Sequence, residues 1–423
     1  PAAPAAAAAA APAAALGDGR VAIDGGVYDV SRFARAHPGG EALLLRHTGC
    51  DASRAFRNYH PDRVYGMLPA LYVGPQADPP PSTPLARALD GVRAELHRRG
   101  LFEPDPVFFG LEAAWAASLL AAALALTAEG RALAGGVLLG LFWQQVAGLG
   151  HDLGHNSVVR SRARNKLLGS LLAALTGLST EWWRTDHNSH HVACNDVESD
   201  PNIQHLPLLS ISEVFLRSPV YSRFHCRWLE AGAAARRAVS VQHWLFCLYM
   251  MVARFNLYAT GLRFLVAHGG EHRRLELACL ALFALWVCLL PALALTPAAA
   301  ALWFCAAHAT SGILHVQIVI SHWAMPTTQN SSLGWYETTL ATTMNIKTSE
   351  LFDFTHVGLQ FQIEHHLFPR LPRHSLRTAR ELVRAAAAAH DAPYVEMSFV
   401  SANRALFQVL RRVGRATTSC AHA

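Results

Sequence analysis

The sequence predicts two parts: a small soluble domain near the N-terminus, then an all-α membrane domain with four transmembrane helices in two hairpins and a cytosolic helical cap. Three observations carry that prediction. Hydrophobic residues make up 52% of the 423-residue chain and charged residues only 16%, a low charged share for a soluble protein of this size. The apolar residues gather after residue 106, in runs long enough to meet a bilayer. Residues 18–76, by contrast, have the composition of an ordinary small soluble domain.

Taken in order, residues 1–17 are an alanine/proline lead with nothing from which to build a core. The lead has no basic stretch followed by a cleavable apolar segment, so it does not read as a secretory signal. The soluble domain spans 18–76 and a linker 77–106. The membrane domain spans 107–400, and 401–423 form a C-terminal tail. Net charge is +6, spread through loops without a nucleic-acid-binding motif; membrane-facing basic residues account for it. The eight cysteines show no CxxC spacing and read as buried hydrophobes or free thiols in a reducing compartment.

Four segments are long and apolar enough to cross a hydrocarbon core of about 30 Å. Leu111–Ala128 is followed after Glu129-Gly130-Arg131 by Ala132–Gly150, and Leu277–Leu295 after Thr296-Pro297 by Ala298–Trp323. The turns are short, so each hairpin returns the chain to the side it left. The stretch 151–240 carries Arg160, Arg162, Arg164, Lys166, Arg184, Arg217, Arg223, Arg227, Arg236 and Arg237, which places it in the cytosol by the positive-inside rule. Two further apolar stretches, Leu167–Leu178 and His243–Ala267, are expected to be interfacial or re-entrant. The first is too short to span and the second carries Arg254 near its middle.

In the soluble domain, His37-Pro38-Gly39-Gly40 sets a histidine at a sharp turn, where glycines let backbone approach a flat cofactor closely. His60 follows in Phe56-Arg57-Asn58-Tyr59-His60-Pro61. Two imidazoles from opposite walls of a pocket would fill both axial positions of a haem iron, which would then carry electrons and not bind O₂. On VYDVSRF, HPGG, the His37-to-His60 interval and the closing Leu71-Tyr72-Val73-Gly74, residues 20–74 resemble cytochrome b5. The resemblance implies an α+β fold holding haem b through His37 and His60. The departure from that family lies before the VAIDGGVYDV stretch, where the alanine/proline tract stands in place of more ordered sequence.

Three histidine boxes follow. They are His151-Asp152-Leu153-Gly154-His155, His187-Asn188-Ser189-His190-His191, and Gln362-Ile363-Glu364-His365-His366. On a helix, positions i, i+3 and i+4 share a face, so each box is expected to offer its imidazoles to one point. Imidazole donors suit iron, copper or zinc. One zinc takes three or four protein ligands, and the seven histidines here exceed that, so two metals are the economical answer. HDLGH also lacks the glutamate of a zinc-protease HExxH motif. Breaking an unactivated C–H bond in a lipid chain needs a strong oxidant made from O₂. A metal pair supplied with two electrons can form one, and the fused haem would deliver those electrons singly.

From about residue 107 to 385 the chain resembles the membrane fatty acid desaturases, on HDLGH, on Trp182-Trp183-Arg184 leading to HNSHH, and on FQIEHHLFP. The fused haem domain and Gln362 at the first position of the third box narrow this to the cytochrome b5-fused front-end branch. The resemblance implies that His151, His155, His187, His190, His191, His365 and His366 ligate two non-haem irons, with O₂ as co-substrate. It places Gln362 in the catalytic box and calls for one more ligand from a late transmembrane helix. His315 and His322 are the candidates, and His322, nearer the cytosolic end, is preferred. It further implies a lipid substrate in the membrane, cytochrome b5 reductase as electron donor, and residence in the endoplasmic reticulum, with the plastid envelope as the alternative.

Several segments look like the sphingolipid delta-8 branch: Val192-Ala193-Cys194-Asn195, Asp200-Pro201-Asn202-Ile203-Gln204-His205-Leu206-Pro207, Gln242-His243-Trp244 and His315-Val316-Gln317. Acyl-lipid delta-6 enzymes share much of this text, so a delta-6 or delta-5 fatty acid activity is the alternative. Arg184, Asp186 and Asp200 are candidates for head-group contact. A b5-fused lipid hydroxylase would use similar metals, but its boxes lie closer together than the roughly 170 residues separating boxes two and three here. A membrane electron-transfer haemoprotein without di-iron activity would not need intact boxes. A metal transporter would need more than Glu112 and His308 inside its spans.

Overall fold

The computed structural model describes residues 16–37, 39–77, 79, 81–329 and 333–419. Most of the alanine/proline lead therefore lies outside the described residues, as do Pro38 of the HPGG turn and Cys420. The chain divides into two compact units, residues 1–83 and 84–423.

In the first unit, β1 (Arg20–Ile23) and β2 (Gly26–Asp29) form an antiparallel hairpin, and β3 (Tyr72–Pro75) pairs with β2 on its other side. Asp24 and Gly25 link the first two strands with φ of 49° and 79°, the backbone for which Asp-Gly is favoured in a two-residue hairpin loop. The Asp24 carboxylate accepts from Arg57 and Tyr65, fastening the turn to the helical side of the unit. Two helices, α1 (Glu41–Leu45) and α2 (Ser53–Tyr59), complete this α+β unit around Val21, Ile23, Val30, Phe56 and Leu68.

The second unit is mostly helical. Its helices are α3 (Pro84–Arg98), α4 (Pro106–Ala128), α5 (Ala132–Gly154), α6 (Arg162–Thr176), α7 (Thr180–Val192), α8 (Val214–Arg217), α9 (Ala233–Ser240), α10 (Gln242–Ala267), α11 (Arg273–Ala294), α12 (Pro297–Trp323), α13 (Trp335–Thr342), α14 (Gln362–Leu367), α15 (Leu376–Ala389) and α16 (Phe399–Ser419). Two small sheets join them, β4 (Val220–Ser222) with β5 (Arg227–Leu229) and β6 (Asn345–Lys347) with β7 (Glu396–Ser398). Residues 84–98, read from sequence as part of a linker, form α3. Its Leu85, Leu89 and Leu96 recur at helical spacing and bury against Leu340, Leu367, Leu371 and Val383, so the stripe belongs to the second unit's core. Residues 401–419, read as tail, lie in α16, whose Leu406 and Leu410 are fully buried.

Among the described residues, five helices are long and apolar enough to cross a membrane: α4, α5, α10, α11 and α12. The sequence led to four, and the difference is α10. Arg254 does not interrupt it; α10 is one helix of 26 residues, and Arg254 is fully buried. The reason lies in α6, which ends inside the bundle. Carbonyls in the last turn of a helix have no partner within the helix. Those of Ala174, Leu175 and Thr176 accept from the indole N–H of Trp286 (2.8 Å), the indole N–H of Trp143 (3.0 Å) and the guanidinium of Arg254 (2.6 Å). Arg254 also lies 4.5 Å over the Trp143 ring. A cation at a helix C-terminus is favourably placed, so what reads in sequence as a charge in an apolar run is the cap of a neighbouring helix.

Helices α5 and α12 touch along their backbones. A Cβ at Gly136 would stand 2.4 Å from the Trp303 carbonyl oxygen, and one at Gly140 2.6 Å from that of Ala307. Small residues of this kind let helices in a membrane approach closely, and the contact brings the C-terminal ends of α5 and α12 together. Away from that contact, Leu111 and Trp115 of α4 and Leu282, Leu285, Leu289 and Leu293 of α11 are exposed, an apolar surface suited to lipid.

Candidate metal centre

In the first unit, His37 and His60 face each other with ring centroids 6.0 Å apart. A metal bound by one nitrogen of each ring at about 2 Å would set the centroids about 6 Å apart, so the pair fits a single iron between them. The Gly40 carbonyl lies 3.2 Å from His37 Nδ1 and the Phe56 carbonyl 3.1 Å from His60 Nδ1. A carbonyl can only accept, which puts the proton on Nδ1 and leaves Nε2 as the donor to a metal. Gly39 is required here, because a Cβ would come within 2.8 Å of the His37 ring.

In the second unit the three boxes converge, but not box by box. One group holds His151, His155, His187, His191 and His365; the other holds His190, Cys194, His322 and His366. Within each group, one donor atom per residue lies within 4.8 Å of every other. Boxes two and three each divide between the groups, which corrects the expectation that each serves one point, while His151 and His155 of box one share the first group. His187 and His191 are four apart on α7 and share a face, whereas His190 lies about 100° round the helix from His191. The neighbours His365 and His366 on α14 diverge in the same way. The two groups are adjacent, since the His191 and His366 rings stack with centroids 4.0 Å apart.

Box one reaches the site because α5 carries His151 in its last turn and ends at His155. His322 arrives from the last turn of α12, and its Nε2 is 3.3 Å from Oε1 of the buried Gln362. His315 stands outside both groups, its Nδ1 2.7 Å from the Met250 carbonyl. Among the head-group candidates, Asp200 is fully buried, and its Oδ2 accepts from His190 Nδ1 at 2.8 Å. Asp186 accepts from the Asn202 amide at 2.7 Å, and Arg184 is half-buried.

Other residues had no signal in the sequence. The Arg373 guanidinium lies 3.0 Å from Asp152 in box one and 3.0 Å from Glu112 on α4. This buried cluster joins the segment after box three to both helices of the first hairpin, with the Asp152 contact an ion pair poorly angled for a hydrogen bond. Glu364, inside box three, turns away from the histidines. It accepts from Tyr394 (2.7 Å) and Asn345 (2.8 Å), and burial pushes its carboxyl up to about 7.

The donor set fits metal. Burial, reinforced by neighbouring imidazoles, holds His187, His191, His365 and His366 well below the usual histidine range, so they are in the neutral form that ligates. His155 Nε2, His191 Nδ1, His365 Nε2 and both nitrogens of His366 are buried without a hydrogen-bond partner among the described residues. Leaving that many polar atoms unsatisfied is costly, and a bound cation would satisfy one nitrogen of each ring.

Residues 131–398 match the fatty acid desaturase family, and residues 15–77 match the cytochrome b5-like haem/steroid binding domain. The chain belongs to the fatty acid desaturase family. The Arabidopsis thaliana protein named Delta(8)-fatty-acid desaturase 2 is 36% identical over 397 residues, covering 92% of this chain and 88% of its own length. The Borago officinalis Acyl-lipid (9-3)-desaturase is 32% identical over 403 residues, covering 93% and 90%. The Komagataella phaffii Delta 8-(E)-sphingolipid desaturase is 37% identical over 257 residues, covering 58% and 47%. This desaturase is thus an oxidoreductase of the front-end type, a haem-binding cytochrome b5 unit fused to a membrane unit whose histidine groups point to iron.

Proposed function

We propose that this desaturase inserts a double bond at the delta-8 position of a sphingolipid long-chain base, at a di-iron centre. The observation that carries the catalytic half is the pair of adjacent, buried histidine groups, one for each metal position. The substrate half is supported by the delta-8 names of the Arabidopsis and Komagataella relatives. The overall reaction converts –CH₂–CH₂– to –CH=CH–, with O₂, two electrons and two protons yielding two waters.

In this reading His151, His155, His187, His191 and His365 hold one iron, and His190, His322 and His366 hold the other with the Gln362 oxygen beside them. The iron pair, when bound, supplies the oxidising power that an unactivated C–H bond requires. The protein's part is to keep the imidazoles neutral, dry and aimed. Asp200 holds the Nδ1 proton of His190, while Arg373 fixes box one against α4. His37 and His60 hold a haem that takes electrons singly from cytochrome b5 reductase.

Four of the five apolar helices cross the membrane in this reading. Near one end of α10, Gln242 bonds the Ser210 and Leu410 carbonyls; near the other, Gly261 packs on Ser179 and Trp182, just ahead of box two. Both ends thus meet elements on the histidine side, which a crossing helix would not do. Basic residues of 151–240 favour a cytosolic site, and the endoplasmic reticulum is the membrane.

An acyl-lipid front-end activity, delta-6 or delta-5, is the second reading, supported by the Borago relative. Expression in yeast, with mass spectrometry of both fatty acids and long-chain bases, separates the two. A new delta-8 bond in the long-chain bases is expected, and unsaturation confined to fatty acids favours the second reading. Hydroxylated lipid instead, or no product from protein with reducible haem and loaded iron, would sink desaturation altogether.

A further inference from the structure

Cys194 lies on the loop after α7, is 4% exposed, and sits at the second histidine group with its Sγ 3.3 Å from His322 Nδ1. A neutral imidazole carries one N–H, and its surroundings decide which nitrogen holds it. The Thr342 carbonyl is 3.9 Å from the Cys194 sulfur. With a metal on Nε2, the single N–H sits on Nδ1, where the Cys194 sulfur is the group placed to accept it. On the other side of the ring, Nε2 faces the Gln362 oxygen at 3.3 Å. Near them stands His366, fully buried with neither nitrogen partnered among the described residues, an arrangement that calls for a cation.

We propose that Cys194 is a positioning residue for the second metal: its sulfur accepts the Nδ1 proton of His322 and so presents Nε2 to the metal, without itself binding it. Sγ is within 4.8 Å of the donor atoms in its group, but it meets His322 at Nδ1, away from the Gln362 edge. The thiol proton has its own outlets, the Thr342 carbonyl and the Thr343 hydroxyl at 3.7 Å, which leaves sulfur lone pairs for His322. The consequence is unequal imidazoles at one metal position. His190 is backed by the Asp200 carboxylate, whereas His322 is backed by a neutral thiol, a weaker acceptor. His190 is therefore the stronger electron donor of the two.

The inference rests on the di-iron reading, and cobalt binding tests them separately. Purified full-length wild type, Cys194→Ser and Cys194→Ala are titrated with Co²⁺, following visible absorption and bound metal, with the haem spectrum normalising the protein and uptake of the first equivalent as the check on folding of the metal-binding unit. Wild type is expected to take two equivalents without a sulfur-to-cobalt charge-transfer band. Cys194→Ala should bind the second equivalent about 10-fold more weakly and the first unchanged. Cys194→Ser, whose hydroxyl can accept the same proton, should restore the second. A sulfur-to-cobalt band in wild type that vanishes in Cys194→Ala would overturn the proposal by making Cys194 a ligand. An alanine variant that binds like wild type, or a serine variant as weak as alanine, would also overturn it. Wild type taking up a single equivalent would remove the di-iron reading, and this inference with it.

Discussion

Replacing Asp200 by Asn changes one atom of a fully buried side chain and tests how the second metal position is held. Three donors converge on this carboxylate: His190 Nδ1 and the backbone N–H of Asn195 on Oδ2, each at 2.8 Å, and the backbone N–H of Asn202 on Oδ1, also at 2.8 Å. An asparagine has one accepting oxygen and one donating NH₂. Its better rotamer keeps the His190 and Asn195 bonds and sets NH₂ against the Asn202 N–H. The orphaned donor costs about 1–3 kcal/mol. His190 also loses the charge of its acceptor, and removal of such a partner typically weakens a metal site about 10–100-fold, or about 1.4–2.7 kcal/mol. Asp200→Ala abandons all three donors, so non-haem iron should fall in the order wild type, Asn, Ala. The assay is elemental iron against haem absorbance in purified protein. The haem serves as internal standard because His37 and His60 lie in the other compact unit. An Asp200→Ala protein that retains as much non-haem iron as wild type would refute the reasoning.

Other perturbations give distinct outcomes. His322→Ala should cost the second metal equivalent while His315→Ala, which breaks only the bond to the Met250 carbonyl, keeps both; equal metal loss in the two would contradict the assignment. Arg254→Met strips the Thr176 carbonyl of its donor and should cost about 1–3 kcal/mol, read as a lower unfolding temperature in detergent. An unchanged temperature would mean that the end of α6 finds another partner. His37→Ala should abolish haem absorbance and product formation yet leave non-haem iron in place. Abundant free cytochrome b5 should not rescue it, since a fused carrier works at high effective concentration; full activity would show that electrons reach the iron by another route.

What could be read from the chain follows the range of the interaction behind it. The HPGG turn and the three boxes were legible because ligand spacing on a turn or a single helix is a local property. The first hairpin was legible as two apolar runs around Glu129-Gly130-Arg131, and the structure extends its members only to Pro106 and Gly154. Helix α3 was not, because a proline-rich approach masks a leucine stripe that matters only once α15 lies against it. The role of Arg254 was hidden for the same reason: its charge is visible in sequence, but the carbonyl that it satisfies belongs to a residue 78 positions away. Asp200 was noticed for its charge and named only as a candidate for head-group contact, whereas the fold turns it inward to His190.

The sequence by itself determined the inventory: a histidine pair spaced for one haem, seven box histidines, and apolar runs that hold them at a membrane. It could not determine how the imidazoles are shared. A helix rotates about 100° per residue, so adjacent histidines such as His190 and His191 must point apart, and where each lands depends on which helix stands beside it. The close contact of α5 with α12 at Gly136 and Gly140 and the seating of α7 and α14 across their ends decide that division. Only the tertiary structure, therefore, made two groups out of three boxes, drew His322 into one of them, and set Asp200 and Cys194 behind it.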